Sequence, residues 1–135
     1  MNQLISAVGS RLASLYGPTN VYFGDAEESA TFPYQVYSMT GSFTEGYATC
    51  NRDATARTAT SIQISVWSKS STEAGSRIDT LRESLLNTLL TMTSYKLLRT
   101  NLVDESVFVD PDREQDGQRV WQGVLILEFV WNKGA

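Results

Sequence analysis

The hydrophobic period of the chain changes in its middle. In residues 61–67 apolar and polar side chains alternate, which predicts a strand with one buried face. After Ser70 the apolar side chains recur every three or four residues as far as about Met92, which is the period of an amphipathic helix. We therefore predict a strand that leads directly into a long helix. The predicted inward face of this helix consists of Ala74, Ile78, Leu81, Leu85, Leu86, Leu89 and Leu90.

The start and the outer face of this helix can also be read from the sequence. Ser70 and Glu73 have the spacing of a capping box, in which each side chain satisfies a free backbone N–H of the other residue. The charged residues Arg77 and Arg82, with their acidic neighbours, fall on the side away from the apolar stripe. We therefore expect a helix that begins near Ser70 and carries its charged residues on the face away from the apolar stripe.

The N-terminal region predicts a second helix. Residues 2–16 place Leu4, Ile5, Val8, Leu12 and Leu15 on one helical face. Gly17 and Pro18 follow and should end the helix, because glycine is favoured just after a helix and proline cannot continue it. Gly9 lowers the helix propensity by about 1 kcal/mol relative to alanine. We therefore expect Gly9 to mark a close contact between this helix and a sheet.

Two further strands are expected before the central one, and a long polar segment separates the second of them from it. Residues 21–23 form a short candidate strand, and residues 33–40 are rich in strand-forming side chains, as strands require. Residues 41–57 are small and polar, which predicts a long hairpin. Loops of this length are commonly functional or disordered, and the sequence leaves both outcomes open.

The C-terminal third predicts sheet. Apolar segments at 97–98, 102–103 and 107–109 lead into a charged turn over 110–117 and a last strand over 119–131. This last strand carries apolar residues on both faces, so at least part of it should be covered on both sides. One cover would be the helices, and the other would be a further sheet or a neighbouring subunit. The predicted fold class is α+β, with a mixed, largely antiparallel sheet of about four or five strands and a long hairpin, packed against two helices on one face.

Composition narrows the class of protein. The 135 residues contain 41% hydrophobic and 19% charged residues, which is typical of one globular domain, here 1–135. The net charge of −4 argues against sequence-independent DNA binding, which needs clustered basic residues. No apolar run of about 18 residues is present, and the N-terminus lacks the pattern of a secretory signal, so we expect neither a membrane span nor export.

No catalytic constellation is found. The chain has no histidine, and therefore lacks the commonest general base and metal ligand. Cys50 is the single cysteine, so no intrachain disulfide is possible; a nucleophilic thiol would need a base beside it, and an incidental loop thiol is favoured. The alternating carboxylates from Asp110 to Asp116 resemble the start of a calcium loop, but Gly123 stands where the bidentate glutamate should be. We assign no metal, no cofactor and no enzymatic activity.

The remaining signal is aromatic. Tyr34, Tyr37, Trp67, Trp121 and Trp131 are spread over the predicted strands. Together with nearby arginines such rings could stack on single-stranded nucleic acid. The acidic balance favours the other interpretation, in which they pack the sheet or an interface rich in aromatic anchors.

The order of these parts resembles the bacteriophage tail-completion family of long-tailed phages, which includes tail terminator and tail-to-head joining proteins. The sharpest marks are the PYQVY segment at 33–37, the IxVWS segment at 64–68 that leads into the helix, and the RxxQG…F pattern from Arg119 to Phe129. The resemblance extends over nearly the whole chain. These marks are structural, and none of them contains a catalytic residue.

The resemblance implies a structural virion protein. Six copies would form a ring at the head-proximal end of the tail tube, stop tube growth and offer a surface to the neck proteins of the head. The implied partners are further copies of the chain, the tube protein and the head-completion proteins, with no membrane and no sequence-specific nucleic acid, although DNA could pass through the lumen. We expect the following residues at these contacts: Arg52, Asp53, Arg57, Trp67, Asp112, Arg113, Trp121 and Trp131. Of these, Trp67, Trp121 and Trp131 would share one face of the sheet and form an aromatic flank for the neighbouring subunit.

Two alternatives stay open at this point. A head-closure, connector or minor tail protein of the same machine would share the design and differ in its partner. A small ligand-binding accessory module of a bacterial cell would instead show a defined apolar pocket with converging polar groups.

Overall fold

The computed structural model describes residues 2–26, 31–44, 57–87, 90–92, 95–115 and 118–133, with the side chains of residues 2, 43, 44, 111–115, 118 and 133 left out. Two α-helices, one short 3-10 helix and five strands lie in these ranges. They are α1 (Asn2–Tyr16), a short 3-10 helix (Pro18–Asn20), β1 (Val21–Phe23), β2 (Tyr34–Thr44), β3 (Thr58–Ser68), α2 (Ser71–Asn87), β4 (Tyr95–Gln115) and β5 (Gln118–Lys133). None of the described helices is both long and apolar enough to cross a membrane.

The five strands form one mixed sheet in the order β1-β2-β3-β5-β4. β1 runs parallel to β2, and every other neighbouring pair is antiparallel. The α+β class, the mixed sheet and the two helices packed on the sheet are therefore confirmed. The central position of β3 and β5 follows from their apolar content, because a strand between two neighbours and beneath a helix must be hydrophobic to be buried.

Strand register identifies the face that packs against the helices. Ile62 lies opposite Leu127 and Ile64 lies opposite Leu125, and directly opposed residues share a face. The helices contribute their predicted apolar stripes to the same core. The largest fully buried side chains of this core are Phe129, Leu4, Leu12, Ile62, Ile64, Leu81, Leu85, Leu125 and Leu127.

Helix α1 lies close to the sheet at Gly9, as predicted. A Cβ atom at this position would collide with the Tyr37 hydroxyl, so a larger residue would displace either the Tyr37 side chain or the helix. The helix ends where expected: Gly17 has a φ of 86°, a conformation that glycine adopts without strain, and its N–H donates to the Ala13 carbonyl at 2.8 Å.

Helix α2 begins with half of the predicted capping box. The N–H of Glu73 donates to Ser70 Oγ at 3.3 Å, but the Glu73 carboxylate accepts from the Ser68 hydroxyl at 2.6 Å instead of from the Ser70 N–H. Ser68 Oγ in turn accepts the Ser70 N–H at 3.1 Å. A buried serine at the end of β3 therefore takes over the second half of the cap.

The helix is shorter than predicted. It ends at Asn87 and not near Met92, and Leu90 reaches the core from a non-helical segment. In the sequence, Leu89 and Leu90 continue the apolar stripe of the predicted helix. Leu89 lies outside the described residues. Apolar spacing alone does not distinguish a further helical turn from a connection that packs on the core.

Arg77, which the sequence places away from the apolar stripe, contacts residues of α1 and β2. Its guanidinium lies 4.3 Å from the centre of the Tyr16 ring. It also donates to the side-chain oxygen of Gln35, in the amide orientation in which the Gln35 nitrogen donates to the Asn20 carbonyl at 3.0 Å. Because Gln35 is fully buried, these bonds satisfy a polar group that would otherwise be costly to bury. The cluster joins β2 to α2.

The predicted C-terminal turn is wrong in extent. β4 is one strand from Tyr95 to Gln115, with register shifts between Leu97 and Arg99, between Leu102 and Asp104, and between Asp110 and Glu114. The pairing of Gln115 with Gln118 leaves two residues, outside the described ranges, to connect the strands. The acidic residues suggested a turn over 110–117, but Asp110, Glu114 and Gln115 of β4 pair with residues of β5. β-Bulges absorb the interruptions.

Helix α2 lies so close to the sheet at Gly123 that a side chain would not fit there, which yields a stability prediction. A Cβ atom there would lie 2.6 Å from Ile78 Cγ1. We expect Gly123→Ala to lower the free energy of unfolding by about 1–3 kcal/mol, because overpacking forces neighbours to move. Chemical denaturation midpoints would measure this loss.

Two comparisons test the cause. Gly75→Ala, where an added Cβ meets nothing within 4 Å, should stabilise the helix by about 0.5–1 kcal/mol. The loss in the double variant Gly123→Ala/Ile78→Ala should be smaller than the sum of the two single losses. Strictly additive losses would mean that the two side chains do not compete for space.

Candidate assembly surface

The face of the sheet opposite the helices is uncovered by any element within the described ranges. We call it the open face; its central residues are Tyr34, Val36, Ser65, Trp67, Val124 and Ile126. Val124 and Ile126 are half-buried on it. The prediction that β5 is apolar on both faces is thus confirmed. Of the two covers predicted for β5, the structure contains the helical one.

An aromatic cluster covers one end of the open face. Tyr34 stacks on Trp67 with ring centres 5.4 Å apart and 23° between the planes. Phe32 lies against Tyr34 at 5.3 Å and Tyr22 meets it edge-on at 6.1 Å. Rings in such geometries attract each other beyond the area they bury. Tyr34 is buried by these neighbours, while Trp67 stays partly exposed.

A cleft of about 370 Å³ lies at the other end of the open face. Arg57, Arg99 and Glu128 bring charge into it, and Gly41, Ser42, Ala59, Ser61 and Val130 complete its lining. Both arginines are exposed, and Glu128 accepts a hydrogen bond from the Asn101 amide at 3.1 Å. A shallow cleft with two guanidinium groups can accept a carboxylate or a similar anionic group from a partner.

The three predicted tryptophans do not share a face. Trp67 lies on the open face, whereas Trp121, opposite Ser68, and Trp131, opposite Thr58, lie on the helix face. The expectation of one tryptophan flank is therefore wrong. A register difference of one residue between neighbouring strands reverses the face, and the sequence does not give the register.

Trp131 belongs to the core of the subunit. Its indole N–H donates to Thr60 Oγ1 at 3.0 Å, and its ring meets Tyr95 edge-on at 4.9 Å. Because the ring packs against the other core residues, Trp131 is excluded from the assembly surface proposed below. Trp121 is half-buried at the rim of the helix face.

The charged candidates are placed unevenly. Arg57 is exposed at the start of β3. Arg52 and Asp53 lie outside the described residues, as does Cys50. The backbones of Asp112 and Arg113 belong to β4, but their side chains lie outside the description. Sequence reasoning missed Arg99 and Glu128, which come next to Arg57 only through the β3-β5-β4 pairing.

One ion-pair group ties the helix layer to the outermost strand. Arg82 on α2 donates to both carboxylate oxygens of Glu105 on β4, at 2.8 and 2.7 Å, and lies 3.2 Å from Asp79. The hydrogen bonds to Glu105 raise the pKa of Arg82 above its ordinary value. The described residues contain no cluster of three or more potential metal-binding side chains.

The fold belongs to the α+β class, with two helices packed on a five-stranded mixed sheet. It is similar, with a TM-score of 0.66 and 17% identity, to a chain in the structure of the virion of a native gene transfer agent particle; the match covers 97% of this chain and 96% of that chain. At this identity the likeness establishes the fold alone. None of the curated protein sequences matches the chain.

Family membership is established by sequence. The family model described as tail completion protein gp17 matches residues 4–130, so the chain belongs to the tail completion protein gp17 family. The predicted family is thereby confirmed. Membership assigns the chain a structural role in the tail of a phage-type virion.

The hydrogen bond between Trp131 and Thr60 yields a second stability prediction. Thr60 is fully buried, so Thr60→Val would leave the indole N–H without its acceptor. We expect a loss of about 1–3 kcal/mol in the free energy of unfolding, measured by denaturation followed by tryptophan fluorescence. The same change at the exposed Thr72 should stay within about 0.5 kcal/mol of the wild type. Equal losses at both positions would refute the assignment.

Proposed function

We propose that the protein closes the head-proximal end of the tail tube as a ring of six copies and forms the joint to the head or neck. Its place would be the virion, after synthesis in the cytoplasm of the bacterial host. The observation that carries this proposal is the family match over residues 4–130, which assigns a tail structural role. The ring and its position on the tube are our inference.

The physical design of the subunit supports this role. A ring subunit needs a rigid wall and uncovered surfaces through which it contacts copies of itself and other proteins. The buried layer between helices and sheet supplies the wall. The open face, with partly exposed Trp67 and the cleft at Arg57 and Arg99, supplies surface for a partner.

Tail length would test the proposal directly. In lysates of a phage that lacks this reading frame, electron microscopy should show overlong tubes without heads, because nothing stops tube growth. Adding back purified protein should restore normal tubes and infectious particles.

Other outcomes would assign the protein elsewhere. Tails of normal length that fail to join heads would move it to the connector side of the joint. Infectious particles of normal appearance would refute a role in tail completion. The small-molecule module would then become the leading hypothesis, with the cleft as its site.

The cleft also gives a residue-level prediction. We expect Arg57→Glu to raise the concentration that half-saturates capping of tubes by about tenfold, which corresponds to about 1.4 kcal/mol. Reversal of an exposed charge should leave folding intact. Arg11→Glu on α1 makes the same charge change away from the open face and should cap normally. Equal capping by both variants would remove the cleft from the assembly surface.

A further inference from the structure

The exposed apolar side chains are not scattered over the molecule. Six large apolar side chains are 40–56% exposed in the described part of the chain: Phe23, Met39, Leu102, Val103, Val107 and Phe108. All six lie on β1, β2 or β4, which are the two sides of the sheet, and none lies on a helix or on a central strand. Large apolar side chains that are exposed together along the sides of a sheet, and not singly, indicate interaction sites.

The first side is the outer edge of β4. Its segment from Leu102 to Phe108 exposes four of these six side chains. β4 pairs with β5 alone among the described strands, so its outer backbone groups are available. An edge strand of this kind is a template for another strand. We call it the β4 edge.

The second side is formed by β1 and the end of β2, and we call it the β1–β2 edge. β1 pairs with β2 only at residues 35–37. Beyond Tyr37, no described strand pairs with β2 on the side away from β3. Met39 and Phe23 supply the exposed apolar groups of this edge.

The two edges are compatible in direction. β2, β3, β5 and β4 alternate in direction across the sheet, so β4 runs opposite to β1 and β2. A second copy placed beside the first in the same orientation would therefore bring its β1–β2 edge antiparallel to β4. Antiparallel pairing is the commoner and slightly more stable ladder.

Shape and charge also agree. The β1–β2 edge steps inward after Phe23, which lies opposite Tyr37. When the register is followed across the sheet, the β4 irregularity at Val103 falls between the positions of Ser38 and Met39 of β2. The bulge in β4 therefore lies at nearly the same height along the strands as the step in the β1–β2 edge. β1 and β2 contain no charged residue, so the carboxylates of β4, such as Asp104, would meet no like charge there.

We propose that the β4 edge of one copy binds the β1–β2 edge of the next copy, which extends the sheet across the subunit boundary. This inference rests on the proposed ring and specifies its contact. Because the two edges differ, the contact is heterologous, and repeated copies close into a ring when the rotation between them divides the circle evenly. Strand addition supplies backbone hydrogen bonds, and the apolar side chains supply the burial.

Lysine placed on either edge tests the contact. Val103→Lys blocks the β4 edge, and Met39→Lys blocks the β1–β2 edge; both positions are exposed, so the fold should tolerate them. Thr72→Lys adds the same charge on the exposed surface of α2 and serves as control. Circular dichroism verifies folding, and Val107→Lys is a second β4-edge variant should Val103→Lys fail to fold. Size-exclusion chromatography with light scattering measures the assembly of each variant alone. Electron microscopy shows whether rings form, both in the free protein and on tail tubes.

We expect rings from the wild type and from Thr72→Lys, and at least a tenfold loss of ring formation for each edge variant alone. An equal mixture of Val103→Lys and Met39→Lys retains one intact pair of edges. It should therefore form dimers that do not grow further. An isologous contact would not give this complementation.

Three results would overturn the inference. The first is the formation of rings by either edge variant at wild-type concentrations, whether or not these rings attach to tubes. The others are a mixture that stays monomeric and a wild type that forms no rings, either at millimolar concentration or on tubes. The proposed function fails separately. If the wild type does not cap tubes, the role is wrong whatever the edges do; if the edge variants form rings and cap tubes, the role stands without this contact.

Discussion

The structure depends on the burial of one face of the central strands beneath two helices. Ile62 and Ile64 of β3 and Leu125 and Leu127 of β5 are all inaccessible to solvent, and Gly123 lets α2 approach the sheet where a side chain would not fit. Such close packing makes small volume changes costly. The rigid layer that results holds β2 and β4 in place at the two sides of the sheet.

A sheet covered by helices on one face has three surfaces left: one face and two edges. In this subunit the open face carries an aromatic cluster and a cleft with Arg57 and Arg99, and the edges carry the exposed apolar side chains. Through such surfaces a tail-completion protein can contact other virion proteins. Charges and β-bulges on an edge limit unwanted pairing, and β4 has both.

Local patterns of the sequence predicted the elements well, and pairing explains what they missed. The alternation around Ile64 and the helical spacing around Ile78 were sufficient because each reflects burial of one face. The shared tryptophan flank was wrong because the face of Trp121 and Trp131 depends on register with β3. Arg57, Arg99 and Glu128 line one cleft only because β3, β5 and β4 are neighbours in the sheet. Local sequence patterns do not reveal the order of strands. The buried cluster around Gln35 also joins distant segments.

The link between Arg82 and Glu105 has a consequence for how different parts of the subunit respond to their surroundings. Ion pairs near the surface weaken as ionic strength rises, whereas the burial of Leu125 and Phe129 of the central strand β5 does not depend on screening. The outermost strand is therefore held to the helix layer partly by a salt-sensitive bond. The centre of the sheet is held by apolar contacts that charge screening does not weaken. The subunit combines a rim that loosens as charges are screened with a centre that does not.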